Sequence, residues 1–160
     1  MFRPKEIRNN IYEITPEEIF ARGLKAVICD LDDTLLPHHG SDIPCKLTSW
    51  IQNMRDAGIE VMIISNGKKR RITPVCESIG IPFTPMACKP FPFGFIKAKR
   101  ILGLKGKEIL YIGDQIFTDM LGANLAGLET LLVTPISFKT TWIWRLKRSL
   151  EKPFRKARRN

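Results

Sequence analysis

Three short apolar runs, Ala26-Val27-Ile28-Cys29, Val61-Met62-Ile63-Ile64 and Ile109-Leu110-Tyr111-Ile112, constrain this chain more than any other feature. None alternates apolar with polar residues. A strand with one wet face must alternate, so unbroken apolar runs of strand length belong to a parallel sheet covered by helices on both faces. The segments between them carry apolar residues at helical spacing and stop at glycines: Leu47, Trp50, Ile51 and Met54 before Gly58; Ile101 and Leu102 before Gly103; Phe117, Met120, Leu121 and Leu125 before Gly127. Weaker strands are expected around Pro82 to Met86 and Thr130 to Val133. The expectation is a three-layer α/β sandwich, Rossmann-like, with a parallel five-stranded sheet. Thr15-Pro16-Glu17-Glu18 supplies a capping hydroxyl, a proline at the first helical position and a glutamate placed for a capping box, which predicts a short helix reaching Arg22.

With 160 residues, 44% of them apolar, the chain has material for one core and too little for two. No apolar run is long enough to span a bilayer, and the basic, polar N-terminal stretch lacks a secretory signal's apolar segment, so a cytoplasmic protein is expected. Cys29, Cys45, Cys76 and Cys88 are widely spaced, with no C-x-x-C pair and no histidine at zinc-ligand intervals, and read as reduced thiols. The net charge of +10 is concentrated at one end. From Lys139 onward there are nine Lys or Arg residues and one acid, Glu151, so this segment holds +8 of the total. The chain divides on that basis into a body, 1–138, and a basic tail, 139–160.

Each core run ends in polar residues: Asp30 and Asp32 after the first, Ser65 and Asn66 after the second, Gly113 and Asp114 after the third. Ligands of open parallel sheets bind outside the carboxyl ends of the strands, so these groups should converge, with Lys89 joining them from Cys88-Lys89-Pro90. Aspartates gathered over an apolar sheet repel one another, and something cationic must lie among them. Hard carboxylate donors without histidine or thiolate favour Mg²⁺, and a serine and a lysine beside it suggest a phosphoryl group.

The run Asp30-Leu31-Asp32-Asp33-Thr34 resembles the first motif, D-x-D-x-T, of the haloacid dehalogenase superfamily of phosphatases. Ser65 in IISNG, Lys89 in ACKP and Gly113-Asp114-x-x-x-x-Asp119 resemble the second, third and fourth motifs, in that order. The resemblance covers about Lys25 to Val133. It implies that Asp30 is the nucleophile forming an aspartyl-phosphate and Asp32 the acid/base. Mg²⁺ would be held by Asp30, Asp114 and the Asp32 main-chain carbonyl. Thr34, Ser65, Asn66 and Lys89 would bind the phosphoryl group, with Gly113 and Asp119 just outside the ligands. An acid at position 32 distinguishes phosphatase or phosphomutase members from dehalogenases and transport ATPases.

Thirty residues separate Thr34 from Ser65 and twenty-three separate Ser65 from Lys89. Each interval is filled by one helix and one strand, so no cap domain is expected. The capless subfamily IIIA is the nearest pattern, and the whole chain is similar to its YqeG branch, related to phosphatidylglycerophosphate phosphatases. That kinship implies a lipid headgroup phosphomonoester as substrate. In the tail, Ile143, Leu146, Leu150 and Phe154 share a helical face opposite Arg and Lys, with Trp142 and Trp144 at its start, the pattern of a helix lying on an anionic membrane. A tail packed on the domain is the competing expectation.

Lys68-Lys69-Arg70-Arg71 either faces an anionic substrate or is a solvated helix start, and His38 and His39 read as exposed loop residues. There is no dedicated nucleic-acid motif. Alternatives are a phosphatase acting on a protein, nucleotide or nucleic-acid phosphomonoester, and a nucleic-acid or ribosome-binding module using the tail. A phospho-receiver is opposed by motif order, because the hydroxyl and lysine here precede Asp114.

Overall fold

The computed structural model describes residues 4, 6–137 and 149–154. Six parallel strands form one sheet in the order β1-β6-β5-β2-β3-β4. They are β1 (Ile7–Arg8), β2 (Ala26–Cys29), β3 (Glu60–Ile64), β4 (Phe83–Thr84), β5 (Ile109–Gly113) and β6 (Glu129–Val133). The expected five strands are all present, and β1 is the addition. It is two half-buried residues paired in parallel with Leu132 and Val133, too short to leave an apolar run in the sequence.

The three core runs are buried on both sides, for the reason their sequence implied. Val27, Cys29, Val61, Ile63, Leu110 and Ile112 pack into one apolar layer, while Ala26, Ile28, Met62, Ile64, Ile109 and Tyr111 pack into the other. Successive side chains point to opposite faces, so both parities must be apolar. The first layer is completed by α1 (Pro16–Ala21), α2 (Cys45–Asp56) and α3 (Lys69–Ile79), and the second by α4 (Phe93–Leu102), a π-helical turn (Ile116–Met120) and α5 (Leu121–Leu125).

The α2 stripe is buried as expected, and Trp50 donates its indole N–H to the Ile14 carbonyl at 2.9 Å. The other two stripes need correcting. In α4 the buried residues are Gly94, Phe95 and Ala98, and Ile101 is exposed. In the segment before Gly127 the π-helical turn shifts the helical phase, so Met120 is buried while Leu125 faces outward. At α1, Thr15 accepts from the Glu18 amide at 3.3 Å, but the Glu18 carboxylate is directed to Arg8 and Arg22.

Topology decides where a site can form. The chain adds β3 and β4 on one side of β2, then crosses to the other side with β5 and β6. The reversal lies between β2 and β5, whose carboxyl ends carry Asp30 and Asp114. The intervals from Thr34 to Ser65 and from Ser65 to Lys89 hold only α2 with β3 and α3 with β4, and no cap is inserted. Among the described residues no helix is long and apolar enough to cross a membrane.

The helix expected in the tail falls largely outside the described residues. Of its described part, Ser149–Glu151 are helical, Leu150 is exposed, and Phe154 meets Phe117 edge-on with centroids 5.9 Å apart. Glu151 is buried, and its carboxylate accepts the Ile116 amide at 2.9 Å.

Candidate active site

Two adjacent strand ends bring three aspartates together. Asp30, Asp114 and Asp119 each present a carboxylate oxygen within 4.8 Å of the others, and all three are buried. Asp119 reaches this group from the π-helical turn, accepting the Gln115 amide at 3.0 Å and the Tyr111 hydroxyl at 2.9 Å. Its approach explains Gly113: a Cβ there would lie 2.6 Å from the Asp119 carboxyl carbon.

Lys89 enters the same space with 8% of its surface exposed. Its ammonium donates to Asp30 Oδ1 and Asp119 Oδ1, each at 2.6 Å, and to the Tyr111 hydroxyl at 3.0 Å. Asn66 clasps the Lys89 backbone from both sides, accepting its amide at 2.7 Å and donating to its carbonyl at 3.0 Å. Asn66 therefore positions the lysine. Ser65 is buried and accepts the Gly67 amide at 3.0 Å, which turns the loop after β3 toward the cavity.

Burial raises the pKa of Asp30 first, and neighbouring carboxylates add to it against the pull of Lys89, so it is pushed up to about 7. Burial works against the charge on Lys89, but the Asp119 and Asp30 carboxylates outweigh it and hold the ammonium firmly protonated. The two directions are compatible because the lysine sees two carboxylates, whereas Asp30 sees one ammonium and further negative charge. Burial and the same two aspartates keep Tyr111 a neutral hydroxyl.

Asp32 stands apart from the carboxylate group. Its side chain accepts from Arg71 and, at 3.0 Å, from the His39 amide, and His38 Nδ1 lies 3.8 Å away. Burial opposes its ionisation, but Arg71 and the His39 amide more than offset that and hold it below the usual carboxylate range. The loop that carries it turns at Asp33, which has φ 64° and a buried carboxylate accepting the His38 amide at 3.1 Å and the Ser137 hydroxyl. The chain beyond β6 is thus tied back to the loop after β2.

A cavity of about 440 Å³ opens over these groups, lined in part by Asp30, Asp32, Ser65, Asn66 and Lys89. His38 and His39, read as merely exposed, also line it, as do Lys68, Arg70 and Arg71. No motif spacing marks the histidines, and only the turn at Asp33 folds them over the strand end. Thr34, expected to bind the phosphoryl group, is not among the residues lining the cavity: it is buried, its hydroxyl without a hydrogen-bond partner among the described residues. Gly113, Asp114 and Asp119 form the buried layer behind Asp30.

The Asp30, Asp114 and Asp119 group suits a hard divalent cation. The donors are carboxylate oxygens and include no imidazole or thiolate. Lys89 brings one positive charge to Asp30 and Asp119, and a divalent cation would add to it.

The sequence matches the family model for haloacid dehalogenase-like hydrolases over residues 46–127. It is 39% identical over 151 residues to the probable phosphatase YqeG of Bacillus subtilis (strain 168), covering 94% of this chain and 88% of that one. The fold resembles that of a putative HAD superfamily (subfamily III A) hydrolase from Legionella pneumophila, with TM-score 0.55 and 23% identity over 73% of this chain and 69% of that one. It also resembles the cobalt-bound deoxy-D-mannose-octulosonate 8-phosphate phosphatase of Haemophilus influenzae, with TM-score 0.56 and 18% identity over 82% of this chain and 89% of that one. From the family match, the relative aligned along nearly its whole length and the shared fold, this chain belongs to the haloacid dehalogenase-like hydrolases.

Proposed function

We propose that this protein is a Mg²⁺-dependent phosphomonoester hydrolase that works through an aspartyl-phosphate at Asp30, with phosphatidylglycerophosphate as substrate. The observation that carries the reading is Asp30 itself. It is a buried carboxylate at a cavity that Lys89 and a basic rim also line, with a second aspartate two residues on. An Asp30 oxygen attacks phosphorus while the bond to the leaving oxygen breaks, and Asp32, which must take up a proton against the pull of Arg71 before this step, gives that oxygen its proton. Asp32 then takes a proton from the water that attacks the aspartyl-phosphate, which restores Asp30 and releases phosphate. Lys89 and Ser65 hold the phosphoryl oxygens, Asn66 holds Lys89, and Asp119 with Tyr111 orients the ammonium. Asp30 and Asp114, with the Asp32 carbonyl, would hold Mg²⁺, which supplies charge neutralisation at the phosphoryl group, while Asp119 beside them is already engaged by Lys89, Tyr111 and the Gln115 amide.

The lipid assignment rests on the sequence resemblance to phosphatidylglycerophosphate phosphatases, on the capless, basic-rimmed cavity, and on the charge of the tail. In this reading residues 1–138 are the catalytic body, and the basic residues beyond Ser137 bring it to the anionic inner membrane surface from the cytoplasm. The test is phosphate release from phosphatidylglycerophosphate in mixed micelles, beside an aryl phosphate and a nucleotide monophosphate, by wild type and Asp30→Asn with Mg²⁺ or EDTA. A strong lipid preference that needs both Mg²⁺ and Asp30 is expected. Activity on the soluble esters alone would remove the lipid, and activity in Asp30→Asn would remove the mechanism. Membrane contact is read separately: replacing Arg145, Lys147, Arg148, Arg155 and Lys156 by glutamine should weaken binding to anionic vesicles.

A further inference from the structure

Beside the reaction centre the cavity has a second cationic feature that phosphoryl transfer at Asp30 does not use. Arg71, in the first turn of α3, places Nη2 on Asp32 Oδ2, while its other terminal nitrogen, Nη1, is buried with no acceptor. A guanidinium is a rigid fork of five donors, so engaging one end fixes where the other points without exhausting it. The space for this side chain exists because residue 67 is glycine. A Cβ there would lie 2.6 Å from Arg71 Nη2 and 2.6 Å from Ile72 Cδ1. Lys68 and Arg70 line the same cavity, whereas Lys69, in the same basic run, does not. The basic run is therefore presented selectively.

The position of this group relative to the chemistry sets its ligand. Lys89 and Asp30 mark where the phosphoryl group sits. Asp32 marks the leaving oxygen, and Arg71 touches Asp32, so Arg71 lies on the leaving-group side. The geometry points to a second anion subsite, formed by Arg71 with Lys68 and Arg70, that takes a phosphate or phosphodiester carried on the leaving group a few bonds from the scissile oxygen. This rests on the phosphatase reading above and adds to it the residues that read a second anionic group on the substrate. The guanidinium holds that group while keeping its contact with Asp32, so the same residue aligns the leaving oxygen with its proton donor.

Two matched substrate pairs test this with Mg²⁺ present: glycerol 1,3-bisphosphate against glycerol 1-phosphate in solution, and phosphatidylglycerophosphate against phosphatidic acid in mixed micelles. Within each pair the second anion should raise kcat/KM on the order of 10- to 100-fold, beyond the statistical factor for a symmetric bisphosphate. Arg71→Ala should bring both ratios to within about threefold of unity, Arg71→Lys should keep part of the preference, and Lys69→Ala should leave the ratios intact. Circular dichroism of Arg71→Ala confirms that the variant is folded. A preference in both pairs means that the subsite reads the anion itself, and a preference in the lipid pair alone means that it reads the headgroup diester. Equal turnover within both pairs by wild type, or ratios that survive Arg71→Ala, would overturn the subsite and leave the phosphatase standing. Failure of wild type to hydrolyse any of the four esters would overturn the phosphatase reading and the subsite with it.

Discussion

Replacing Lys89 by methionine tests the electrostatic account of the site. The ammonium lies 2.6 Å from carboxylates of both Asp30 and Asp119, in a residue only 8% exposed. Methionine keeps most of the apolar stem and the Asn66 clasp, which grips the backbone, so charge is the main loss. Removing one member of a buried ion pair costs about 3–5 kcal/mol, because its partner stays buried and uncompensated. Two carboxylates are abandoned here, beside a third, so the upper half of that range is expected. For a chain of this size 1 kcal/mol moves Tm by about 2–4 °C, and the midpoint should fall by roughly 8–20 °C.

Urea unfolding should be followed near pH 8 and near pH 5.5, with and without Mg²⁺. Asp30 is pushed up to about 7 in the folded protein, above an unfolded carboxylate. A group whose folded value is raised stabilises the fold at low pH, and that contribution is lost as pH rises through the folded value. Without the ammonium Asp30 holds its proton still more tightly. The deficit of Lys89→Met should therefore be largest near pH 8, shrink toward pH 5.5, and be partly recovered by a divalent cation that binds only the folded state. A deficit below about 1 kcal/mol at both pH values, or one that grows as pH falls, would refute the charge-balance reasoning.

Three further perturbations address single contacts. Asp30→Asn should lower turnover at least about 1,000-fold while leaving the fold intact by circular dichroism, and near-normal turnover would take Asp30 out of the chemistry. Gly113→Ala forces a methyl onto Asp119 and should cost about 1–3 kcal/mol in denaturant unfolding as well as turnover; an unchanged variant would show that the close approach is not required. Glu151→Ala strands the buried Ile116 amide at a cost of about 1–3 kcal/mol and loosens the turn that carries Asp119. Glu151→Gln keeps an acceptor and should recover most of the stability, and equal unfolding midpoints for both variants would show that the contact contributes little.

The apolar runs announced the sheet because burial on both faces leaves no alternation to hide it, and the residues after each run announced the site because strand ends are where such sheets bind. Other parts left weaker traces. β1 is two residues long and exists through pairing with β6, so no local pattern encodes it. Leu125 and Ile101 carry the right residue type for burial at the wrong angular phase, since the π-helical turn and the α4 packing angle are settled by neighbours. Arg71 was one of four consecutive basic residues. Its place beside Asp32 depends on the orientation of α3 and on the missing side chain at Gly67.

The sequence by itself determined the α/β class, the parallel sheet, and the positions along the chain where Asp30, Ser65, Lys89 and Asp114 had to emerge. These follow from periodicity and from chain order, which are local and one-dimensional. Tertiary structure alone decided that Tyr111 and Asn66 hold Lys89 in place, that His38 and His39 fold over the cavity, and that Glu151 returns to cap Ile116. Those contacts join residues separated by up to tens of positions, and the same side chains elsewhere on the surface would read identically in sequence. What selects them is desolvation: once the sheet buries these polar groups, each must find a partner, and only the folded chain specifies which partner is within reach.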